Sequence, residues 1–98
     1  MKYKEGDIVF LNSYYGSIEK NMNIILSIQY NEYLEKQLYE LSNFSFNYVD
    51  KGYLDRNFIK IYDKKSNKVI SKNIKKIKNI YNKEVDRMLI WNINNKGV

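Results

Sequence analysis

Near residue 70 the spacing of apolar residues changes, and that change limits the folds open to the chain more than any other feature. Before it, residues 23–30 alternate, with Ile24, Leu26, Ile28 and Tyr30 on one side and Ile25, Ser27 and Gln29 on the other, the period of a strand. After it, a turn of about 100° per residue gathers Ile70, Ile74, Ile77, Tyr81, Val85 and Met88 into one stripe. Lys72, Lys75, Lys76, Asn79 and Lys83 fall opposite. With Ser71 as its N-cap, this pattern predicts an amphipathic helix over 71–91. Such a stripe has to cover something, either the strands that precede it or a second chain, with Trp91 as an anchor.

Residues 7–11, 36–41, 44–49 and 57–62 read as four more short strands, rich in β-branched and aromatic residues. Ser42 and Asn43 join the third and fourth as a hairpin that puts Phe44, Phe46 and Tyr48 on one face. Asp50, Lys51 and Gly52 form a turn, with Gly52 free to take a positive φ. Five short strands with turn signals between them favour a small barrel over a sheet with crossover helices. The expectation is a mainly β (α+β) fold: a five-stranded barrel over 3–62 with a C-terminal amphipathic helix, in one domain spanning 1–98.

Three segments carry a family resemblance: the opening Gly6-Asp7-Ile8-Val9, the central Tyr39-Glu40-Leu41, and the closing run from Tyr53-Leu54-Asp55 through Arg56, Asn57, Phe58, Ile59, Lys60 and Ile61. Together they resemble small bacterial or phage SH3-like barrels, in which a short helical turn and a last strand close the barrel. The chain lacks an Ala-Leu-Tyr-Asp-Tyr segment and a Trp within the barrel. The resemblance therefore does not imply proline-peptide binding.

Composition bears on chemistry by exclusion. With no Cys and no His, thiol nucleophiles, disulfides, zinc knuckles and imidazole acid/base catalysis are all absent. The remaining carboxylate pairs, Glu32 with Glu35, Asp50 with Asp55 and Glu84 with Asp86, lack motif spacing, and no phosphate-cradling glycine loop exists. The reading is a protein that is not an enzyme and uses no cofactor or metal. No apolar run approaches the roughly 20 residues of a membrane span, and the N-terminus lacks the order of a signal peptide. A cytoplasmic protein without membrane contact is expected.

Charge is where the sequence points to a partner. Residues 1–50 carry four lysines against seven acids, a net of −3, whereas 51–98 carry thirteen Lys and Arg against four acids, a net of +9. Between Lys64 and Lys83 there are eight lysines and no acid. Lys72, Lys75 and Lys76 stand in the first turns of the helix, where the macrodipole disfavours cations by about 0.3–1 kcal/mol each. Helix stability alone does not place them there. Lys, Asn, Ile and Tyr, at 15, 14, 13 and 10 residues, have AT-rich codons, so a low-GC genome also contributes to the lysine count.

The candidate contact residues are Lys72, Lys75, Lys76 and Lys83, with Lys64, Lys65 and Lys68, and with Tyr14 and Tyr15 from the first long loop. In size and style the chain is similar to the small single-domain inhibitors of low-GC phages and mobile elements, anti-CRISPR-type proteins among them. The first expectation is an inhibitor or adaptor that docks on a nucleic-acid-handling protein complex through the basic helix face and the barrel loops. The alternative is an SH3-like module that binds RNA or DNA directly, which the acidic first half disfavours. An acidic barrel beside a basic helix also permits a homodimer.

Overall fold

A computed structural model describes residues 2–12, 18–44 and 48–81. In chain order they form β1 (Ile8–Leu11), α1 (Ile18–Asn21), β2 (Met22–Asn31), β3 (Lys36–Leu41), β4 (Tyr48–Asp50), α2 (Lys51–Asn57), β5 (Phe58–Asp63), β6 (Lys68–Val69) and α3 (Ser71–Tyr81). The strands make one antiparallel sheet in the order β4-β3-β2-β1-β5-β6. The fold is mainly β with a C-terminal helix.

The unbroken apolar run Ile8-Val9-Phe10-Leu11 explains why β1 is central, since only a strand covered on both sides can bury such a run. Ile8 and Phe10 pack on one side with Met22, Ile24, Ile61, Ile74 and Ile77. Val9 and Leu11 pack on the other with Ile25, Tyr39, Leu41, Val49, Leu54 and Phe58. Helix α3 covers the first side through Ile74 and Ile77, and α2 covers the second through Leu54. Each such fully buried side chain stabilises the fold by about 1.5–3 kcal/mol.

Two bulges set which residues share a side. In β2, Ile25 pairs with Leu41 and Ser27 with Glu40, leaving Leu26 as the extra residue. The expected grouping of Ile24, Leu26, Ile28 and Tyr30 is therefore broken: Ile28 joins the side of Ile25, while Leu26 is exposed. In β5, Ile8 pairs with Tyr62 and Val9 with Lys60, leaving Ile61 as the extra residue. Lys60 and Asp63 are thereby turned to the same side although three apart.

Other expectations also need correction. The sheet has six strands rather than five and is open, ending in β4 and β6, with no pairing among the described residues that closes it into a barrel. The sixth, two-residue strand is too short and too polar to leave a period. Among the described residues β4 begins only at Tyr48; Phe44 packs on Tyr53 and Phe58 outside any strand, Tyr48 is exposed, and Phe46 lies outside the described residues. Gly52 does not take a positive φ. It sits in the first turn of α2, whose N-cap is Asp50, with the Asp50 side chain accepting from the Tyr53 amide. Ser71 does not cap α3 either, because the Ile70 carbonyl accepts the first helical bond, from the Ile74 amide. The short α1 went unforeseen. The predicted helix beyond Tyr81, with Val85, Met88 and Trp91, lies outside the described residues. No helix among the described residues is long and apolar enough to cross a membrane.

Candidate polyanion-binding edge

The turn 64–67, β6 and α3 follow one another at the β6 end of the sheet. Several bonds hold the turn: the Asp63 carboxylate accepts from the Ser66 amide at 3.0 Å and from the Ser66 hydroxyl, the Asn67 amide donates to the Lys64 carbonyl at 3.2 Å, and the Tyr62 hydroxyl donates to the Asn67 side-chain oxygen. Asn67 takes the left-handed conformation, φ 54°, that asparagine tolerates better than most residues. Beyond β6, the Ile70 amide returns to the Ile61 carbonyl at 2.9 Å and launches α3.

Three buried residues fix the rotation of α3. Asn73 donates from Nδ2 to the Lys60 carbonyl at 2.7 Å, and Ile74 and Ile77 enter the core. At helical spacing Lys72, Lys75 and Lys76 fall on the opposite face and are exposed. Lys64 and Lys65 in the turn and Lys68 on β6 are exposed as well. The structure thus brings six of the predicted contact residues onto one turn, strand and helix. Lys83, Tyr14 and Tyr15 lie outside the described residues.

Behind the turn 64–67 is a buried charge cluster. The Lys60 ammonium lies 3.0 Å from Asp7 Oδ2 and 2.7 Å from Asp63 Oδ1, and it donates to the Lys2 carbonyl at 3.1 Å. Its three protons thus have three acceptors. Burial pulls the Lys60 pKa down, but the hydrogen bonds to Asp63 and Asp7 outweigh it, and the net shift is upward. The bond from Lys60, with further bonds from Ser66, holds the Asp63 carboxyl well below the usual carboxylate range. Asp7 also accepts from the Lys4 amide and the Lys64 amide, each at 2.8 Å. One buried carboxylate therefore joins the N-terminal turn to the turn that carries Lys64 and Lys65. The available signal was Lys60 between Ile59 and Ile61, a cation in an apolar strand that needs buried acids to satisfy it.

The acids near the sheet are largely spoken for. Asp50 pairs with Lys36 at 2.7 Å, and Asp55 pairs with Lys51 at 3.2 Å while accepting from the Tyr3 hydroxyl at 2.6 Å. The candidate carboxylate pair Asp50 and Asp55 is thus committed to α2, as cap and as ion-pair partner. Of the other acids, Glu5, Glu32 and Glu35 are exposed, the last two in the turn 32–35. Among the described residues, Lys64, Lys65, Lys68, Lys72, Lys75 and Lys76 form no ion pair, and no group of three or more Asp, Glu, His or Cys is placed to hold a metal.

The tyrosines divide. Tyr62 is buried and Tyr53 packs in an aromatic group, whereas Tyr30 and Tyr33 are exposed, Tyr33 at 98%. No protein-family model, curated protein or solved structure matches the chain.

Proposed function

We propose that the protein is a non-enzymatic binding protein, an inhibitor or adaptor of phage or mobile-element type, that docks on a nucleic-acid-handling protein complex. The lysine edge occupies the surface where that complex meets phosphate or acidic side chains. The observation that carries the reading is the set Lys64, Lys65, Lys68, Lys72, Lys75 and Lys76, exposed and without an ion pair among the described residues, the last three turned outward by the burial of Asn73, Ile74 and Ile77. A protein partner is favoured by the exposed Tyr30, Tyr33 and Leu34 at the end of the β2–β3 hairpin, residue types that anchor protein interfaces more readily than they track a phosphate backbone. An SH3-like relationship belongs to the same proposal, supported by the order β4-β3-β2-β1-β5 and by α2 standing between β4 and β5.

Direct nucleic-acid binding is the second reading. It gains from the internal use of Asp7 and Asp50, since part of the negative count of residues 1–50 does not face solvent freely. A pull-down from a low-GC bacterial lysate, split into nuclease-treated and untreated halves, separates the two. A nucleic-acid-handling protein retained after digestion, and lost with Lys72→Glu plus Lys76→Glu, is the expected result. Nucleic acid recovered alone, and released by raised salt, would replace the first reading by the second.

A further inference from the structure

The edge strand β4 borders an open groove of about 360 Å³, distinct from the lysine edge. Its lining includes Leu34, Leu38, Phe44, Tyr48 and Tyr53, with Arg56. Leu34 and Tyr48 are exposed, and Leu38, Phe44 and Tyr53 are half-buried. Single exposed apolar residues are ordinary on a protein surface; two exposed and three half-buried ones brought to one groove from β3, β4, α2 and the adjoining turns are an interaction feature.

Two observations specify the occupant. First, β4 ends the strand order and pairs only with β3 among the described residues, none of which adds a strand along its outer backbone edge, the kind of edge that another extended chain can join. Second, the groove has a residual positive charge. Asp50 is engaged on both oxygens, with Oδ2 accepting from Lys36 at 2.7 Å and Oδ1 from the Tyr53 amide at 2.8 Å. Arg56 is exposed and forms no salt bridge among the described residues; its charge helps to hold the Asp50 carboxyl low, but with Lys36 in the same lining the groove keeps two cations against one carboxylate. A guanidinium beside an apolar channel suits a carboxylate flanked by apolar side chains and repels a basic peptide.

We propose that this groove binds an extended segment of a partner protein that adds to β4 as a further strand, its apolar side chains against Leu38 and Tyr48 and an Asp or Glu on Arg56. Main-chain hydrogen bonds along β4 supply affinity, and the alternation of apolar and acidic side chains supplies selectivity. The site is separate from the lysines and does not depend on what they bind.

Selection of a phage-displayed random dodecapeptide library on the full chain tests this, with binding of the recovered peptides measured by fluorescence polarisation and amide chemical shifts. The expected result is enrichment of β-prone peptides with one Asp or Glu between apolar residues. Their affinity falls at least tenfold with Arg56→Glu and with Tyr48→Lys, and is unchanged with Lys72→Glu plus Lys76→Glu. The shifts centre on residues 48–50. Both groove substitutions fall on exposed side chains, and an unchanged far-UV spectrum confirms that each variant is folded. Absence of enrichment, peptides rich in Lys or Arg, or indifference to both groove substitutions overturns the proposal. So does a dimer abolished by Tyr48→Lys, which would assign the groove to a second copy of the chain.

Discussion

The Lys60 ammonium sits 3.0 Å from the Asp7 carboxylate, with the Asp7 side chain wholly removed from solvent and that of Lys60 only 9% exposed. Residues 53 apart in sequence are thus joined where water competes little for either charge. A pair of this kind contributes little net stability compared with an apolar replacement of both partners, but losing one partner leaves the other charged and buried. Asp7 also accepts the Lys64 amide, so the pair locates the turn that presents the first two lysines of the exposed edge.

Lys60→Met is therefore expected to destabilise the protein by about 3–5 kcal/mol, the range for a buried pair broken on one side. Urea unfolding of the variant and of Asp63→Asn, whose partner keeps Asp7, orders the two: the lysine substitution is the more costly. Equal costs would mean that Asp7 is satisfied by its two amide donors alone.

The same cluster sets limits on stability at both ends of the pH scale. Asp63 is held down in the folded state by Lys60 and Ser66, so its contribution is complete above the unfolded carboxyl value of about 3.9 and is lost as pH falls below it. Lys60 is shifted upward in the folded state. Tyr3 is raised as well, by burial and then by its bond to Asp55. Those contributions are complete below about pH 10 and disappear as pH rises through the folded values. Unfolding free energy measured from pH 2 to pH 12 is expected to show a plateau between the two declines. Asp63→Asn should flatten the acid limb and weaken the Lys60 part of the alkaline one, while the Tyr3 part stays in place; an unchanged acid limb would assign that decline to Asp50 and Asp55, which are also held low.

Gly52 in the first turn of α2 offers a stabilising change. An added Cβ would meet Arg56 Nη1 at 3.1 Å and Asp50 Oδ1 at 3.5 Å, and the nearer atom is the far end of a flexible, exposed side chain. With helical φ already in place, Gly52→Ala is expected to stabilise by about 0.4–1 kcal/mol, through lower unfolded-state entropy. Thermal unfolding reads the sign directly. A fall in melting temperature would mean that the Arg56 guanidinium is held where it stands.

What the sequence made legible follows from how much of each element is periodic. The helix was readable over Ser71–Tyr81 because Ile74 and Ile77 face the core while Lys72, Lys75 and Lys76 face water, and α3 keeps that period. β1 was readable as a strand, but its central place depends on β2 and β5 pairing on either side. The bulges at Leu26 and Ile61 were not readable. Each inserts one residue that alternation treats as regular, and each reverses every assignment beyond it. Leu26→Asn illustrates the difference: on the expected alternation it would remove a core residue at a cost of several kcal/mol, whereas at an exposed bulge it is expected to change stability by no more than about 0.5 kcal/mol. Of the candidate site, the lysines were visible as a run without acids; their lack of ion pairs among the described residues was not, because Lys36 and Lys51, which do pair, look the same in sequence.

Lys72 allows stability and binding to be separated. It lies in the first turn of α3, where the helix dipole disfavours a cation, and one turn before Lys76, a like charge at i,i+4. Lys72→Glu reverses both effects and is expected to stabilise the protein by roughly 0.5–1 kcal/mol. If the lysine edge binds polyanions, the same substitution lowers the salt concentration at which the protein leaves heparin. Lys20→Glu, with the same charge change on exposed Lys20 in α1, is the matched control and should shift elution less. A gain in stability together with a larger elution shift for Lys72→Glu means that a lysine is kept at a position where helix stability favours an acid. Equal elution shifts for the two variants would reduce the edge to net charge and remove the central support for the proposed docking surface.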